Sequence, residues 1–151
     1  MFFKTMLAAA LLATPFHAAP ARDWRFAGQI PGHVMVFVDI NSLETGARPY
    51  PKAWTLMVMA EDEDRYAALG ALIEYDCEGH RRHGIEAAGY SAEGEVLQTA
   101  GVENRWNPQN QSHVLWHAEE VICGRRTLTG KSYGAGVPIA EGRAILGGVE
   151  P

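Results

Sequence analysis

Two cysteines and a short cationic run are the residues of this sequence with the clearest chemistry. The only cysteines are Cys77 and Cys123, far apart in the chain. Redox and metal-binding cysteine pairs usually lie close together, as in C-x-x-C. In an exported protein, two distant cysteines favour a disulfide over these alternatives.

Four cationic or imidazole side chains follow the first cysteine: His80, Arg81, Arg82 and His83. They concentrate positive charge on a protein whose net charge is −5, so they could dock an acidic partner. The alternative is a charged strand end that prevents edge-to-edge pairing. We predict these residues as a partner-binding patch.

Histidines and acidic residues are also candidate metal ligands. His113 and His117 are one helical turn apart, and His80 and His83 could complete a zinc site. No cysteine or carboxylate joins them at a recognisable spacing. The acidic run at residues 61–64 lacks the glycine and distal glutamate of a calcium loop. We therefore predict no metal ligand and no cofactor, with residues 61–64 as a solvated loop.

No residue set in the sequence resembles a catalytic centre. Each serine has a turn, cap or arm explanation, and none lies in G-x-S-x-G. The serines weighed are Ser42, Ser91, Ser112 and Ser132. Asp39 and Asp76 could form a carboxylate pair, but Asp76 is better explained by a turn or by Arg81. A non-enzymatic protein is expected.

Residues 1–21 have the pattern of a signal peptide: Lys4, an apolar run, and small residues before a cleavage site that precedes Arg22. The apolar run is too short to span a bilayer, and no cysteine at the cleavage site offers a lipid anchor. We expect a periplasmic or secreted protein. After cleavage, 12 basic and 18 acidic side chains remain, which argues against a nucleic-acid partner.

Short apolar runs separated by turn residues predict a β-sheet. The predicted strands are residues 23–28, 33–40, 52–60, 66–77, 81–90 and 95–102. The acidic run at 61–64 is expected to end the third strand, and Gly94 to supply the positive φ of the last hairpin. A helix over residues 62–74 is the alternative for the fourth strand, since Ala and Leu favour helices. As a strand, its odd-numbered residues would face the core.

Helical spacing follows Pro108. Residues 113–123 carry an apolar stripe, with Ser112 as the expected N-cap and Gly124 as the terminator. Cys123 lies roughly 140° from the centre of this stripe. The helix is therefore expected to turn near Ile122, which would bring Cys123 toward Cys77.

The strand at residues 33–40 is apolar on both faces, with Val34, Val36 and Val38 on one and Met35 and Phe37 on the other. One helix covers only one face. The second face needs the glycine-rich C-terminal arm (residues 125–151), a second copy of the chain, or a foreign ligand. A homodimer through this face or an edge strand is one hypothesis. The arm is expected to be extended or partly disordered, although its apolar segment, residues 137–146, could dock.

Several segments together resemble the bacterial surface-adhesin protein E family over about residues 24–124. They are "VFVDINSL" (36–43), "AWTL" (53–56), "IEYDCEGHRRHGIEAAGYSAEGEVL" (73–97), Trp106 and a helix ending in Cys123. The resemblance implies an α+β fold: a single antiparallel sheet of about six strands, with a C-terminal helix tethered to its concave face by a Cys77–Cys123 disulfide. The protein E-like domain would then be residues 22–124.

The resemblance implies a protein-binding or adhesion-type module with an unidentified protein partner. The alternative is a periplasmic envelope protein with a structural or stress-related role and no host ligand.

Overall fold

A computed structural model describes residues 20–45 and 50–150. The predicted signal peptide lies almost wholly outside the described residues. Within them the chain forms β1 (Trp24–Ile30), β2 (Val34–Asp39), a 3₁₀ turn (Ile40–Ser42), β3 (Lys52–Glu63), β4 (Tyr66–Asp76), β5 (Arg81–Tyr90), β6 (Val96–Gly101), β7 (Asn107–Pro108), α1 (Trp116–Ile122) and α2 (Ile139–Leu146).

The strands form one antiparallel meander. Strands β1 to β6 pair in chain order, and the two-residue β7 pairs with the other end of β5. The hairpin between β5 and β6 turns at Gly94, whose φ is +82°, while the Ser91 hydroxyl accepts from the N–H groups of Glu93 and Glu95. The predicted antiparallel sheet is confirmed.

Residues 62–74, for which a helix was the alternative, form the end of β3, a turn and most of β4, so that helix is wrong. The residues of β4 alternate between two buried layers, and this burial overrides the helix propensity of Ala and Leu. The acidic run also does not end β3, which continues to Glu63. The turn comes instead at Asp64 and Arg65, both of which have positive φ.

Helix α1 packs on one face of the sheet, mainly over β1 and β2; we call this the α1 face. Ala71, Ile73 and Tyr75 of β4 face this layer, as expected, whereas Ala67 is buried in the cluster on the opposite face. The buried apolar residues here are Ala27, Val36, Val38, Ala53, Ile73, Tyr75, Val114, Leu115, Ala118, Val121 and Ile122.

Helix α1 starts at Trp116, three residues later than predicted, and Ser112 is not its N-cap. Ser112 instead binds Asn110 through its hydroxyl. Residues 113–115 form a turn in which the imidazole Nδ1 of His113 accepts from the N–H of Leu115 at 3.2 Å. A histidine side chain thus replaces the expected serine at the entry to the helix.

The opposite face of the sheet, the α2 face, is covered by the C-terminal arm. Ile139 and Ile145 of α2 are buried there with Met35, Phe37 and Val58. Arg143 anchors the helix by donating to the Met59 carbonyl at 3.1 Å. The expectation of an extended or partly disordered arm is therefore wrong for residues 139–146, and the docking of the apolar segment is confirmed.

The arm also extends the edge of β1. The N–H of Tyr133 donates to the Trp24 carbonyl at 2.9 Å, and the N–H of Trp24 to the Gly134 carbonyl at 3.2 Å. The sequence left three candidates for covering the second face: the arm, a second copy of the chain, or a foreign ligand. The arm packs there, on β2 and β3. A homodimer is not needed to bury Met35 and Phe37.

Candidate functional site

The disulfide joins the end of β4 to the end of α1. Cys77 and Cys123 are bonded, with Cα atoms 5.7 Å apart. Cys123 is the C-cap of α1, and Gly124 follows with φ of +72°. The predicted turn near Ile122 and the predicted disulfide are both confirmed.

Next to the disulfide lies the buried carboxylate of Glu119. Its Oε1 is 2.8 Å from Nδ1 of His80 and 2.6 Å from Nη2 of Arg125. Its Oε2 is buried without a hydrogen-bond partner among the described residues. Both partners contact Trp116, His80 by stacking and Arg125 as a cation over the ring. Through Glu119 this cluster connects α1 to His80, which follows β4, and to Arg125, which follows α1.

A second polar group connects β5 to the segment before α1. Arg82 donates to Oε1 of Gln109, and its Nη2 is 3.3 Å from Nε2 of His113. Burial lowers the pKa of Arg82 from its ordinary value. Burial also raises the pKa of the neighbouring Tyr75 phenol well above its usual range. Tyr75 is therefore neutral at any physiological pH.

The four residues predicted as a partner patch divide between two sides of the sheet. His80 and Arg82 point toward the α1 side. Arg81 and His83 point to the opposite side, where both lie against the Trp106 ring. His83 is also 2.7 Å from Oε1 of Glu74. That these four residues bind a partner stays a prediction. In the folded protein they present two separate pairs, one on each side of the sheet.

The remaining candidates from the sequence have structural partners. Arg81 donates to Asp76 and thereby lowers the pKa of that carboxyl. Asp39 accepts from the N–H groups of Asp23 and Asn41. Across the described part of the chain, no three His, Cys, Asp or Glu side chains are grouped as metal ligands would be.

The sheet beyond α1 holds an apolar hollow of about 370 Å³ on the α1 face. Its floor is made of small residues that pair across β4, β5 and β6: Ala71, Gly84, Ala87, Gly89 and Ala100. Its walls include Met57, Tyr66, Leu69 and Val102, and Arg82 lies at one end. We call this space the β4–β6 hollow.

Sequence reasoning missed the β4–β6 hollow. The available signal was the high content of Gly and Ala in β5, "GIEAAG" (84–89). It becomes informative only with the strand register, because that register places Ala71, Ala87 and Ala100 in one row across three strands.

A second feature of this region is the β6 edge. All six residues of β6 are exposed, and the strand pairs only with β5 within the described residues. Large apolar side chains are exposed along β5, β6 and just beyond: Ile85, Val96, Leu97 and Val102. An uncovered strand edge with apolar side chains is a surface for pairing with another chain.

Comparisons with known proteins give a family match. No helix within the described residues is long and apolar enough to cross a membrane. No curated protein and no solved structure matches the chain. Residues 24–124 match the family described as surface-adhesin protein E, with both disulfide cysteines inside the match. The match covers well over half of the 151 residues, and the chain therefore belongs to the surface-adhesin protein E family.

Proposed function

We propose that the protein is exported and works as a non-enzymatic binding module that takes up an extended segment of a partner protein along β6. The observation that carries this proposal is the free β6 edge. The unpaired N–H and C=O groups of such an edge give affinity to any extended segment, while the side chains alongside it give specificity.

The surroundings of β6 favour a partner segment with basic residues. Glu95 lies before β6 and Glu103 after it, and both are exposed. Leu97, with 43% of its surface exposed, supplies an apolar contact between these charges. Family membership supports an adhesin-like role for such a surface.

A pull-down with the mature chain, residues 22–151, tests the proposal. Partners captured by the wild type should be lost with Leu97→Lys, because a charged edge opposes strand addition. Val149→Lys is the matched control: Val149 is also exposed, at 60%, but lies outside the sheet. Equal capture by the two variants would contradict a β6 site.

The disulfide provides a second control. The reduced chain should lose partners that depend on the folded sheet, because the bond holds α1 against it. A captured protein that binds the oxidised and reduced chains equally would be recognising unfolded polypeptide, and would count against the proposal.

A second copy of the chain is one candidate for the β6 partner. Size-exclusion chromatography with light scattering should then show a dimer for the wild type and a monomer for Leu97→Lys. A strictly monomeric wild type at high concentration would leave a different protein as the partner.

The competing function is a periplasmic envelope protein with a structural or stress-related role and no host ligand. It differs in location, since an adhesin must be reachable from outside the cell. Labelling of intact cells with a membrane-impermeant reagent separates the two. Labelling only after the outer envelope is opened would favour the periplasmic function.

A further inference from the structure

We propose that the β4–β6 hollow binds a single-chain carboxylic acid of the fatty-acid class, with the acyl chain over β4–β6 and the carboxylate against Arg82. This inference goes beyond the binding of a protein at the β6 edge. It rests on the shape of the hollow, on its apolar lining and on the charge at one end.

The shape suits one unbranched chain. The hollow spans the sheet from the level of Leu69 to that of Tyr75, six residues along β4, or about 20 Å in an extended strand. Its volume of about 370 Å³ lies at the lower end of the range for small-molecule sites. In the middle of this length the paired residues Ala71, Ala87 and Ala100 have short side chains, which leave space above the strands.

Two glycines of β5 leave room for the side chains that wall the hollow, one near each end. A Cβ on Gly89 would lie 2.4 Å from ring atoms of Tyr66, and a Cβ on Gly84 would lie 3.0 Å from Val102. Glycine at these two positions lets Tyr66 and Val102 lie flat on β5, where they wall the hollow. A larger residue at either position would push the wall outward.

The charge at the polar end is that of Arg82. Its hydrogen-bond acceptors within the described residues are neutral: Gln109 and the Pro108 carbonyl. Glu119 is an acidic group whose charge acts on Arg82, but it is already bound by His80 and Arg125. A half-buried guanidinium without a carboxylate partner is a strong binding group for an anion.

The opposite end of the hollow has exposed charges of both signs nearby. A neighbouring cavity of about 560 Å³ shares Met57 and Leu69 with the hollow, and acidic residues 61–63 line it. These three side chains are exposed, and Asp62 is paired with Arg143. Arg65 near that end is also exposed and lies over the Tyr66 ring. Solvent screens all of these charges, so the half-buried Arg82 is the stronger anion-binding group and sets the direction of the ligand.

Calorimetric titration of the mature, oxidised chain tests the proposal with lauric acid, dodecanol and dodecyltrimethylammonium, each below its critical micelle concentration. Lauric acid should bind saturably at one site, and about tenfold more tightly than the alcohol, because only the acid pairs with Arg82. The cationic amphiphile should bind most weakly. Equal affinity for acid and alcohol, or no saturable binding of the acid, would overturn the proposal.

Variants separate the chain site from the carboxylate site. Ala100→Leu fills the hollow from an exposed edge strand and should abolish lauric acid binding. Gly101→Leu adds a similar side chain to the other face of β6, where nothing lies within 4 Å, and should bind as the wild type does. Arg82→Met should bind acid and alcohol equally. Unchanged binding by Ala100→Leu would refute the site even if Arg82→Met fails to fold.

Discussion

Glu119 is fully buried, and it illustrates how one residue can hold several elements together. Burying a carboxylate is costly unless cations and donors replace its water. Here His80 and Arg125 replace part of that water from two different segments. The residue belongs to α1, yet its partners lie after β4 and after α1 itself.

We expect Glu119→Ala to lower the free energy of unfolding by about 3 kcal/mol, because it removes a buried ion pair and leaves a void where the carboxylate was buried. Urea unfolding of the oxidised protein measures the change. Glu120→Ala is the matched control: Glu120 pairs with the same arginine at a more exposed position and should cost less than about 1 kcal/mol. Equal losses would show that burial of Glu119 is not the source of the effect.

His113 should make stability depend on pH. Burial, and then the charge of Arg82, lower the pKa of His113 below 6.5. A neutral imidazole can accept a hydrogen bond at one nitrogen, as His113 does from Leu115, whereas a protonated one accepts none. As pH falls through 6.5 the unfolded chain takes up a proton before the folded chain does, so stability is lost below that pH.

The measurement is the free energy of unfolding between pH 8 and pH 5 for the wild type and for His113→Asn. Asparagine can still accept from Leu115 but does not titrate. The variant should therefore lose less stability over the acidic half of this range. A constant difference between the two proteins at every pH would contradict a contribution from His113 titration.

At the scale of elements, the strands were predictable and α2 was not. β2 and β3 carry near-continuous runs of apolar residues, many of them β-branched or aromatic. Such runs are typical of strands that are buried on both faces of a sheet. The segment of α2, "IAEGRAIL", has a central glycine and no capping side chain, so local propensity is weak. Its helix is decided by tertiary burial of Ile139 and Ile145, which no local pattern reveals.

The glycine of α2 is itself a packing residue. A Cβ on Gly142 would lie 3.0 Å from Val58 and 3.3 Å from Phe37. We therefore expect Gly142→Leu to release α2 from the sheet, and limited proteolysis to cut the arm faster than in the wild type. Ala144→Leu, on the exposed side of α2, should resist as the wild type does. Equal cleavage of both variants would contradict this packing.

The candidate site was predictable only in part. The sequence indicates the disulfide, because two lone cysteines in a chain with the pattern of a signal peptide have few other uses. It does not indicate that Arg82 ends an apolar hollow, because this depends on the pairing of Arg82 with Tyr75 in the β4–β5 register. Motif spacing describes neighbours along a chain, whereas the hollow is built from neighbours across three strands.

At the scale of the whole molecule, the disulfide ties the last element of the family domain back to the sheet. The bond closes a loop with a sequence separation of 46. Replacing both cysteines by serine should lower the free energy of unfolding by about 4 kcal/mol, chiefly by freeing the unfolded chain. Chemical denaturation of the two proteins measures this. A loss below about 1 kcal/mol would show that the noncovalent packing of α1 suffices.

The position of α2 has a practical consequence for anyone who expresses this domain. A fragment cut where the family match stops, after residue 124, would leave Phe37 and Val58 facing water. Such a fragment should be poorly soluble and prone to aggregate. Any oligomers that it forms would result from the truncation and would not reflect the native protein. Fragment boundaries drawn by similarity alone would therefore give misleading measurements of self-association.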